Sequence, residues 1–444
     1  MNKLIILLIP FFFFNNCSFN ENSRIWKDKD KELFGEPNIK KVFVKKKSVV
    51  REFNQNLNLD LSGIKTNFKY INNRNDFGSQ SYKGELKKIA SYKFSKLEDL
   101  NQINFKPLFI ENDIVFFNKK GSIIRYDENQ KILWEKNHYS KAEKKLQPKL
   151  DFIFYKDSIL VSDSIAKYYS INANNGDLNW SKNNTYPFNS EIKKYKNKFF
   201  VIDYKNTLRC YKIKDGSECW NLPTEDSFTI SNSKYSLIIL DDMVVFNNSI
   251  GDITAVDIES GLIVWQLPTQ STSILNETYD FKTSKLVSDG SSIFFSNNKN
   301  EFYSIDIKTG TTNWISDINS NITPVITGNL IFTVSDEGYL YVIEKNKGNI
   351  IRVTDLFKNY KPKKRKNVYP IGFAIGNKNL YLTNSDGKLI VKDLQNASIL
   401  KIEKVSSNIV SKPLIFNNNL YLVRSGSIIQ SLLLPILKLT IHSP

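Results

Sequence analysis

The chain has 444 residues, of which 41% are hydrophobic and 13% aromatic, with 30 Phe and 21 Tyr. This content can build a sizeable core, favours pleated sheet and excludes an intrinsically disordered chain. Lys and Arg exceed Asp and Glu by 62 to 45, a formal charge of +17, but the charge is spread along the chain without a basic-aromatic motif, so we expect no nucleic-acid partner.

The first residues have the pattern of an export signal. After Asn2 and Lys3, the apolar run LIILLIPFFFF covers residues 4–14. These eleven residues are too few for a bilayer, whose hydrocarbon core of roughly 30 Å needs about 20. We therefore predict a cleaved signal peptide over residues 1–16, with a buried helix or strand as the alternative.

Cys17 follows the apolar run at the place where a bacterial lipoprotein carries its lipid-modified cysteine. Asn16 departs from the small residue that usually precedes this cysteine. We predict that Cys17 is lipidated, with more than one acyl chain needed for a stable anchor. Residues 17–85 are polar, rich in Asn and Lys and without a sustained period, which predicts an extended tether and leaves local β structure open.

A repeated motif occupies most of the remaining chain. GSIIRYDENQKILW ends at Trp134, and related segments end at Trp180, Trp220, Trp265 and Trp314. Two further segments end at Arg352 and Lys401, where Trp is absent. The seven positions lie 46, 40, 45, 49, 38 and 49 residues apart, a period typical of a propeller or another repeat array.

Each repeat predicts four antiparallel strands, the last two joined by a tight turn. In ITAVDIESGLIVW, a strand reaches Asp257, Gly261 closes the turn and a second strand ends at Trp265. Gly supplies the positive φ of the turn, and the Asp side chain bonds the turn backbone. The turn glycines are Gly176, Gly216, Gly261, Gly310 and Gly348, and the recurring acidic residues are Asp127, Asp257, Asp306, Glu344 and Asp393. We interpret both sets as turn formers, and the Trp side chains as packing between neighbouring blades and not as ligand sites.

Four-stranded sheets of this size have two apolar faces and cannot bury either face alone, whereas a ring of stacked sheets buries both. Seven repeats and an incomplete eighth predict an all-β, eight-bladed β-propeller of four-stranded antiparallel blades over residues 86–432, followed by a tail over residues 433–444. The missing strand can come from residues 89–94 or from residues 436–441. We favour an N-terminal strand, because pairing the two chain ends closes the ring.

Two side-chain groups remain candidates for a role. Cys210 and Cys219 lie on the two arms of one predicted hairpin, so an oxidising compartment permits a disulfide, while a register slip of one residue would point them to opposite faces. The basic residues between the sixth and seventh repeats form either a solvated loop or a docking site for an acidic protein or lipid face. They are Lys361, Lys363, Lys364, Arg365 and Lys366.

The sequence has few of the residues and motifs that are typical of catalytic sites. It has only two histidines, His138 and His442, which we predict to be exposed. It has no Walker loop, no H-E-x-x-H and no G-x-S-x-G motif. We therefore predict no catalytic residues, no metal site and no cofactor.

The pattern in ITAVDIESGLIVW resembles the repeat of pyrroloquinoline-quinone-type propellers. With the lipoprotein start and the tether, it is similar to the BamB family of outer-membrane assembly lipoproteins over residues 86–432. The resemblance implies a non-catalytic periplasmic scaffold, monomeric within a multi-protein complex and held at the outer membrane by its lipid. It also implies binding to BamA, the central barrel subunit, help in inserting outer-membrane proteins, and no cofactor.

Two other classes fit the same fold. One is a quinone-dependent dehydrogenase, a class that is usually longer and carries adjacent cysteines and a carboxylate cluster for calcium. Cys210 and Cys219 are not adjacent. The other is a ligand-binding surface propeller, against which only the lipoprotein start and the tether count.

Overall fold

The computed structural model describes residues 51–62, 79–80, 87–95, 106–225, 234–269, 282–376, 378–407, 409–417 and 419–432. The predicted signal peptide, Cys17, most of the predicted tether, residues 436–441 and His442 lie outside these ranges. Two short strands, β1 (Ser79–Gln80) and β2 (Lys87–Lys93), precede the first repeat.

The first four repeats each form one antiparallel four-stranded sheet, here called blades one to four. Blade one contains β3 (Leu108–Ile110), β4 (Asp113–Phe117), β5 (Ile123–Tyr126) and β6 (Ile132–Lys136). Helix α1 (Lys141–Lys145) leads to blade two, which contains β7 (Leu150–Tyr155), β8 (Ser158–Asp163), β9 (Lys167–Asn172) and β10 (Leu178–Asn183). Blade three contains β11 (Lys193–Tyr195), β12 (Lys198–Ile202), β13 (Thr207–Lys212) and β14 (Glu218–Pro223). Blade four contains β15 (Leu237–Leu240), β16 (Met243–Asn247), β17 (Ile253–Asp257) and β18 (Ile263–Leu267).

Blades five to eight repeat this arrangement. Blade five contains β19 (Val287–Ser288), β20 (Ser292–Asn297), β21 (Glu301–Asp306) and β22 (Thr312–Ser316). Blade six contains β23 (Val325–Thr327), β24 (Leu330–Val334), β25 (Tyr339–Glu344) and β26 (Ile350–Asp355). Helix α2 (Pro362–Arg365) leads to blade seven, which contains β27 (Pro370–Gly376), β28 (Asn379–Asn384), β29 (Lys388–Asp393) and β30 (Ile399–Lys404). Blade eight contains β31 (Leu414–Phe416), β32 (Asn419–Arg424) and β33 (Ser427–Leu432).

The chain forms an all-β, eight-bladed propeller of four-stranded antiparallel sheets, as the repeat predicts. The first strands of neighbouring blades contact each other. For example, β3 contacts β7, and β11 contacts β15, so the first strands line the propeller axis. The second and third strands are buried almost throughout, while the fourth strands are mostly exposed. Neither helix in the described parts of the chain is long and apolar enough to cross a membrane.

The eighth blade takes its fourth strand from the other end of the propeller. β2 pairs antiparallel with β33, with Tyr92 opposite Ile428, and the sheet order is β2-β33-β32-β31. Tyr92 is buried, and its ring makes an edge contact with Tyr126 of blade one at 5.6 Å between centroids. β2 therefore touches both the last blade and the first.

The described part of the predicted tether packs on the propeller. Residues 51–62, here called the strap, run along blade six, where the backbone of Phe53 pairs with that of Val353. Leu59 is buried in the core that blades six and seven share. Further along the chain, β1 pairs parallel with β27, the first strand of blade seven. These contacts add local β structure within residues 17–85.

Candidate functional site

The repeated Trp side chains connect each blade to the next. The indole Nε1 of Trp134 donates to the carbonyl oxygen of Ala173 at 3.0 Å, and that of Trp265 donates to Ile307 at 2.9 Å. Trp180, Trp220 and Trp314 make the equivalent bond to Ile213, Ile258 and Lys345. Each acceptor lies in the turn between the third and fourth strands of the following blade. The structure therefore places the repeated Trp residues in blade seams.

The turn glycines make room for these rings. A Cβ atom built on Gly310 would lie 2.5 Å from Cδ2 of Trp265, and the φ of Gly310 is +70°. Gly176, Gly216, Gly261 and Gly348 have the same relation to the Trp of the preceding blade. The turn carboxylates complete the arrangement, since Asp306 accepts the backbone N–H groups of Lys308 and Thr309. Trp and Gly thus form one structural unit at each of these five seams, and an Asp completes it in the turns of blades four and five.

The seam between blades six and seven is built differently. Arg352 occupies the Trp position and is 1% exposed, and its Nη1 donates to the carbonyl oxygens of Leu394 and Gln395 at 3.2 and 2.7 Å. Ala397 replaces the turn Gly and keeps a positive φ of +60°. The strap lies over this seam, where Leu59 packs against the shared core and Asn58 contacts Gln395. Packing from outside the repeat thus supports this seam, where Arg352 stands in place of Trp.

One prediction about histidine is wrong. His138 is half-buried, its Nε2 lies 3.0 Å from the carbonyl oxygen of Gly176, and its ring makes an edge contact with Tyr169. Burial is the main cause that lowers the pKa of His138. The prediction failed because a blade-to-blade loop can still pack against the next turn. Among the described residues, no three or more His, Cys, Asp or Glu side chains form a group that could hold a metal ion.

Cys210 and Cys219 are neighbouring free thiols in the structure. A β-bulge separates the pair Cys210–Trp220 from the pair Tyr211–Glu218, and Cys219 is the extra residue of this bulge. Because the bulge sets its direction, Cys219 can approach Cys210, which simple strand alternation would not allow. Burial raises the pKa of the Cys210 thiol. The disulfide stays a prediction.

The basic loop is partly neutralised by its own surroundings. Nη1 of Arg365 lies 2.6 Å from Oδ2 of Asp355, and Nζ of Lys364 lies 3.1 Å from Oδ2 of Asp386. The remaining basic side chains, Lys361, Lys363 and Lys366, are exposed. The loop therefore presents three lysines around the one-turn helix α2.

A cluster of charges that the sequence analysis missed lies at the propeller axis. We call it the axial cluster, and it contains Lys106, Asp151, Glu191, Lys193, Lys234 and Lys285. These residues lie in or just before the first strands of blades one to five, at the places where the chain enters each blade. Their side chains are only 15–20% exposed. A charged residue at the start of an otherwise apolar first strand was the available signal.

Glu191 is the centre of the axial cluster. Its carboxylate lies 3.4 Å from Nζ of Lys106, 3.5 Å from Nζ of Lys193 and in direct contact with Lys285. Burial would raise the pKa of Glu191, but the three ammonium groups lower it well below its usual value. A second pair, Lys234 with Asp151, lies close enough for Asp151 to be influenced by Glu191 and Lys285.

The pKa of Lys285 is lowered as well, and in a lysine this favours the neutral form. Its pKa is lowered to about 7, mainly by burial, with Glu191 opposing the shift and Lys106 and Lys412 adding to it. The two shifts agree physically, because a carboxylate surrounded by cations stays ionised while a buried cation beside other cations loses its proton easily. The axial cluster therefore holds more positive charge than its carboxylates neutralise.

The eight blades, their Trp seams and their shared four-stranded repeat define the class of this protein: it is a β-propeller of the pyrroloquinoline-quinone-repeat type. The family model described as outer membrane protein assembly factor BamB matches residues 95–354. This match covers more than half of the chain, and the chain belongs to that family. No curated protein sequence matches the chain.

Solved structures share the fold at low identity. The crystal structure of BamB from Moraxella catarrhalis has a TM-score of 0.61 and 15% identity, covering 78% of this chain and 100% of that one. The quinohemoprotein alcohol dehydrogenase from Comamonas testosteroni has a TM-score of 0.57 and 10% identity, covering 78% and 76%. A computationally designed protein, Ika8, has a TM-score of 0.58 and 15% identity, covering 77% and 100%. These likenesses concern the fold.

Proposed function

We propose that this protein is a non-catalytic periplasmic scaffold of the outer-membrane β-barrel assembly machinery, which binds a BamA-like barrel subunit and aids insertion of outer-membrane proteins. The observation that carries the proposal is the family match over residues 95–354. The fold supports it, because a ring whose seams are filled by side chains offers rigid loops for binding.

The proposal places the protein at the outer membrane through a lipid on Cys17. The support is the apolar run over residues 4–14 directly before this cysteine. Metabolic labelling with a fatty acid should mark the wild-type protein and not Cys17→Ala. Labelling that persists in Cys17→Ala would contradict the anchor.

The partner is best identified by crosslinking in intact cells, followed by mass spectrometry of the trapped proteins. We expect recovery of a BamA-like subunit with the wild-type chain. The Cys17→Ala variant should lose only the lipid anchor. After purification it should still bind this subunit. Consistent recovery of other proteins, with no barrel-assembly subunit, would overturn the proposal.

We further propose that the exposed lysines of the basic loop contribute to this binding by facing an acidic surface of the partner. The variant Lys361→Glu/Lys363→Glu/Lys366→Glu should reduce capture about tenfold, because it replaces attraction with repulsion. Exposed lysines of three other blades provide a matched control, Lys182→Glu/Lys214→Glu/Lys308→Glu, with the same change of charge. Lys182 lies in the fourth strand of blade two, and Lys214 and Lys308 lie in turns. Equal losses in both triple variants would show that only the overall charge matters.

A further inference from the structure

Four residues of the axial cluster line a cavity that no part of the proposed function uses. The cavity is open to solvent, and its interior together with the solvent space at its mouth amounts to about 350 Å³. Lys106, Glu191, Lys193 and Lys285 supply its charged groups, and Tyr235 and Thr323 are among its other lining residues. Residues of blades one, three, four, five and six therefore meet in one solvent-connected space.

Basic side chains outnumber acidic ones in the axial cluster. The axial cluster contains four lysines and two carboxylates, Asp151 and Glu191, which leaves a formal charge of 4 − 2 = +2 when all are ionised. Three of the lysines contact the carboxylate of Glu191. Because partial burial weakens screening by water, surplus positive charge costs more here than on an open surface.

We propose that this cavity binds a small divalent oxyanion of the sulfate or phosphate class through the ammonium groups of Lys106, Lys193 and Lys285. An oxyanion with two negative charges would balance the surplus, and each ammonium group can donate to its oxygens. Because the three lysines come from blades one, three and five, the bound ion would connect strands across the axis. The proposal does not depend on the partner proposed above.

The site should respond to pH through Lys285. Its surroundings are Glu191, Asp151, Lys106, Lys193 and Lys412. The lowered pKa of Lys285, about 7, means that this group carries its charge below neutral pH and loses it above. A bound anion favours the protonated form, so binding should be tighter in mildly acidic buffer.

The full chain can be titrated with potassium sulfate by calorimetry, with potassium chloride at equal ionic strength as the reference. Sulfate stays divalent across the range used, so only the protein titrates. We expect saturable binding that is about tenfold tighter at about pH 6 than at about pH 8.5. Sulfate should also raise the thermal midpoint above that in chloride.

Three variants separate the site from a general charge effect. Lys285→Met should weaken binding about tenfold and remove most of its pH dependence, whereas Lys193→Met should weaken binding but keep the pH dependence. The control Lys308→Met removes an exposed lysine in a blade-five turn and should leave both unchanged. The proposal is overturned if sulfate acts no differently from chloride, or if all three variants bind sulfate as the wild type does.

Discussion

At the level of single residues, one Gly and one Trp set the contact between neighbouring blades. The ring of Trp265 lies where a side chain on Gly310 would stand, and the same relation recurs at four other seams. A methyl group at such a position makes the positive φ unfavourable and also clashes with the aromatic ring. The backbone and the ring cannot move apart without opening the seam.

The two costs can be separated by experiment. Gly310→Ala should lower the free energy of unfolding by about 3 kcal/mol, since strain and overpacking add. Gly290 also has a positive φ, of +95°, but a Cβ there would meet nothing within 4 Å. Gly290→Ala should therefore cost only about 1–2 kcal/mol in urea unfolding. Equal losses would show that backbone strain alone matters.

The Arg352 seam offers a second prediction at this scale. Arg352→Trp alone should destabilise the protein by about 2 kcal/mol, because the methyl group of Ala397 stands where the other seams have Gly. Combining it with Ala397→Gly should restore most of this loss. A double-mutant cycle should give a coupling of about 1–3 kcal/mol. Additive effects of the two substitutions would contradict this interpretation.

At the level of elements, β2 joins the two ends of the propeller. It pairs with β33 of blade eight, and its buried Tyr92 contacts Tyr126 of blade one. Without β2, the backbone of β33 would lose its partner along a whole strand and the seam between the last blade and the first would open.

Deletion of residues 86–96 should therefore lower the thermal midpoint by about 10 °C or more. Deletion of residues 433–444 is the comparison, because this segment contains the alternative strand considered from the sequence. Its removal should leave the midpoint nearly unchanged. An unchanged midpoint after loss of residues 86–96 would mean that β2 does not hold the ring closed.

The strap is the second element that stabilises other parts of the molecule. Leu59 is 6% exposed in the core shared by blades six and seven. Leu59→Ala should cost about 2–4 kcal/mol, because it removes buried apolar atoms and leaves a cavity. Leu57 is only partly buried, so Leu57→Ala should cost less. Hydrogen exchange should show the largest loss of protection in β26, and uniform loss around the ring would argue against a local role.

At the level of the whole molecule, the axial cluster makes stability depend on pH. The pKa of Lys285 is about 7 in the folded protein, while an unfolded lysine keeps its proton to about 10.4. Between these values the unfolded chain binds more protons than the folded one, so stability rises with pH by at most about 1.4 kcal/mol per unit. Lys285 adds no pH dependence to the stability below about pH 7, where it is protonated in both the folded and the unfolded state.

Urea unfolding in chloride buffer at about pH 7, 8 and 9 measures this effect. The difference in stability between wild type and Lys285→Met should grow in favour of the wild type as the pH rises. The comparison removes contributions from all other titrating groups that the substitution leaves alone. Parallel pH profiles for the two proteins would contradict the assignment.

The blade itself could be predicted from the amino-acid sequence, because its signals are local. Alternating apolar residues mark strands, a Gly with positive φ marks a turn, and the distance from Trp134 to Lys401 contains six repeats of one pattern. The count of eight blades followed from the same pattern, which depends on residues close together in the chain. The N-terminal strand was favoured for the eighth blade for a different reason, because it pairs the two ends of the chain.

The contacts that distinguish one part of this propeller from another form only when distant segments meet in the folded chain. Arg352 finds its carbonyl acceptors more than 40 residues away, and Lys285 meets Glu191 across 94 residues. The sequence pattern does not show that Arg352 is buried or that Lys285 lies beside Glu191, and the same residue types on an open surface would be solvated. Burial at the axis and at the seams gives these residues their structural roles. It places lysines around a charged cavity, lets an arginine replace Trp at one seam, and holds the strap by a leucine.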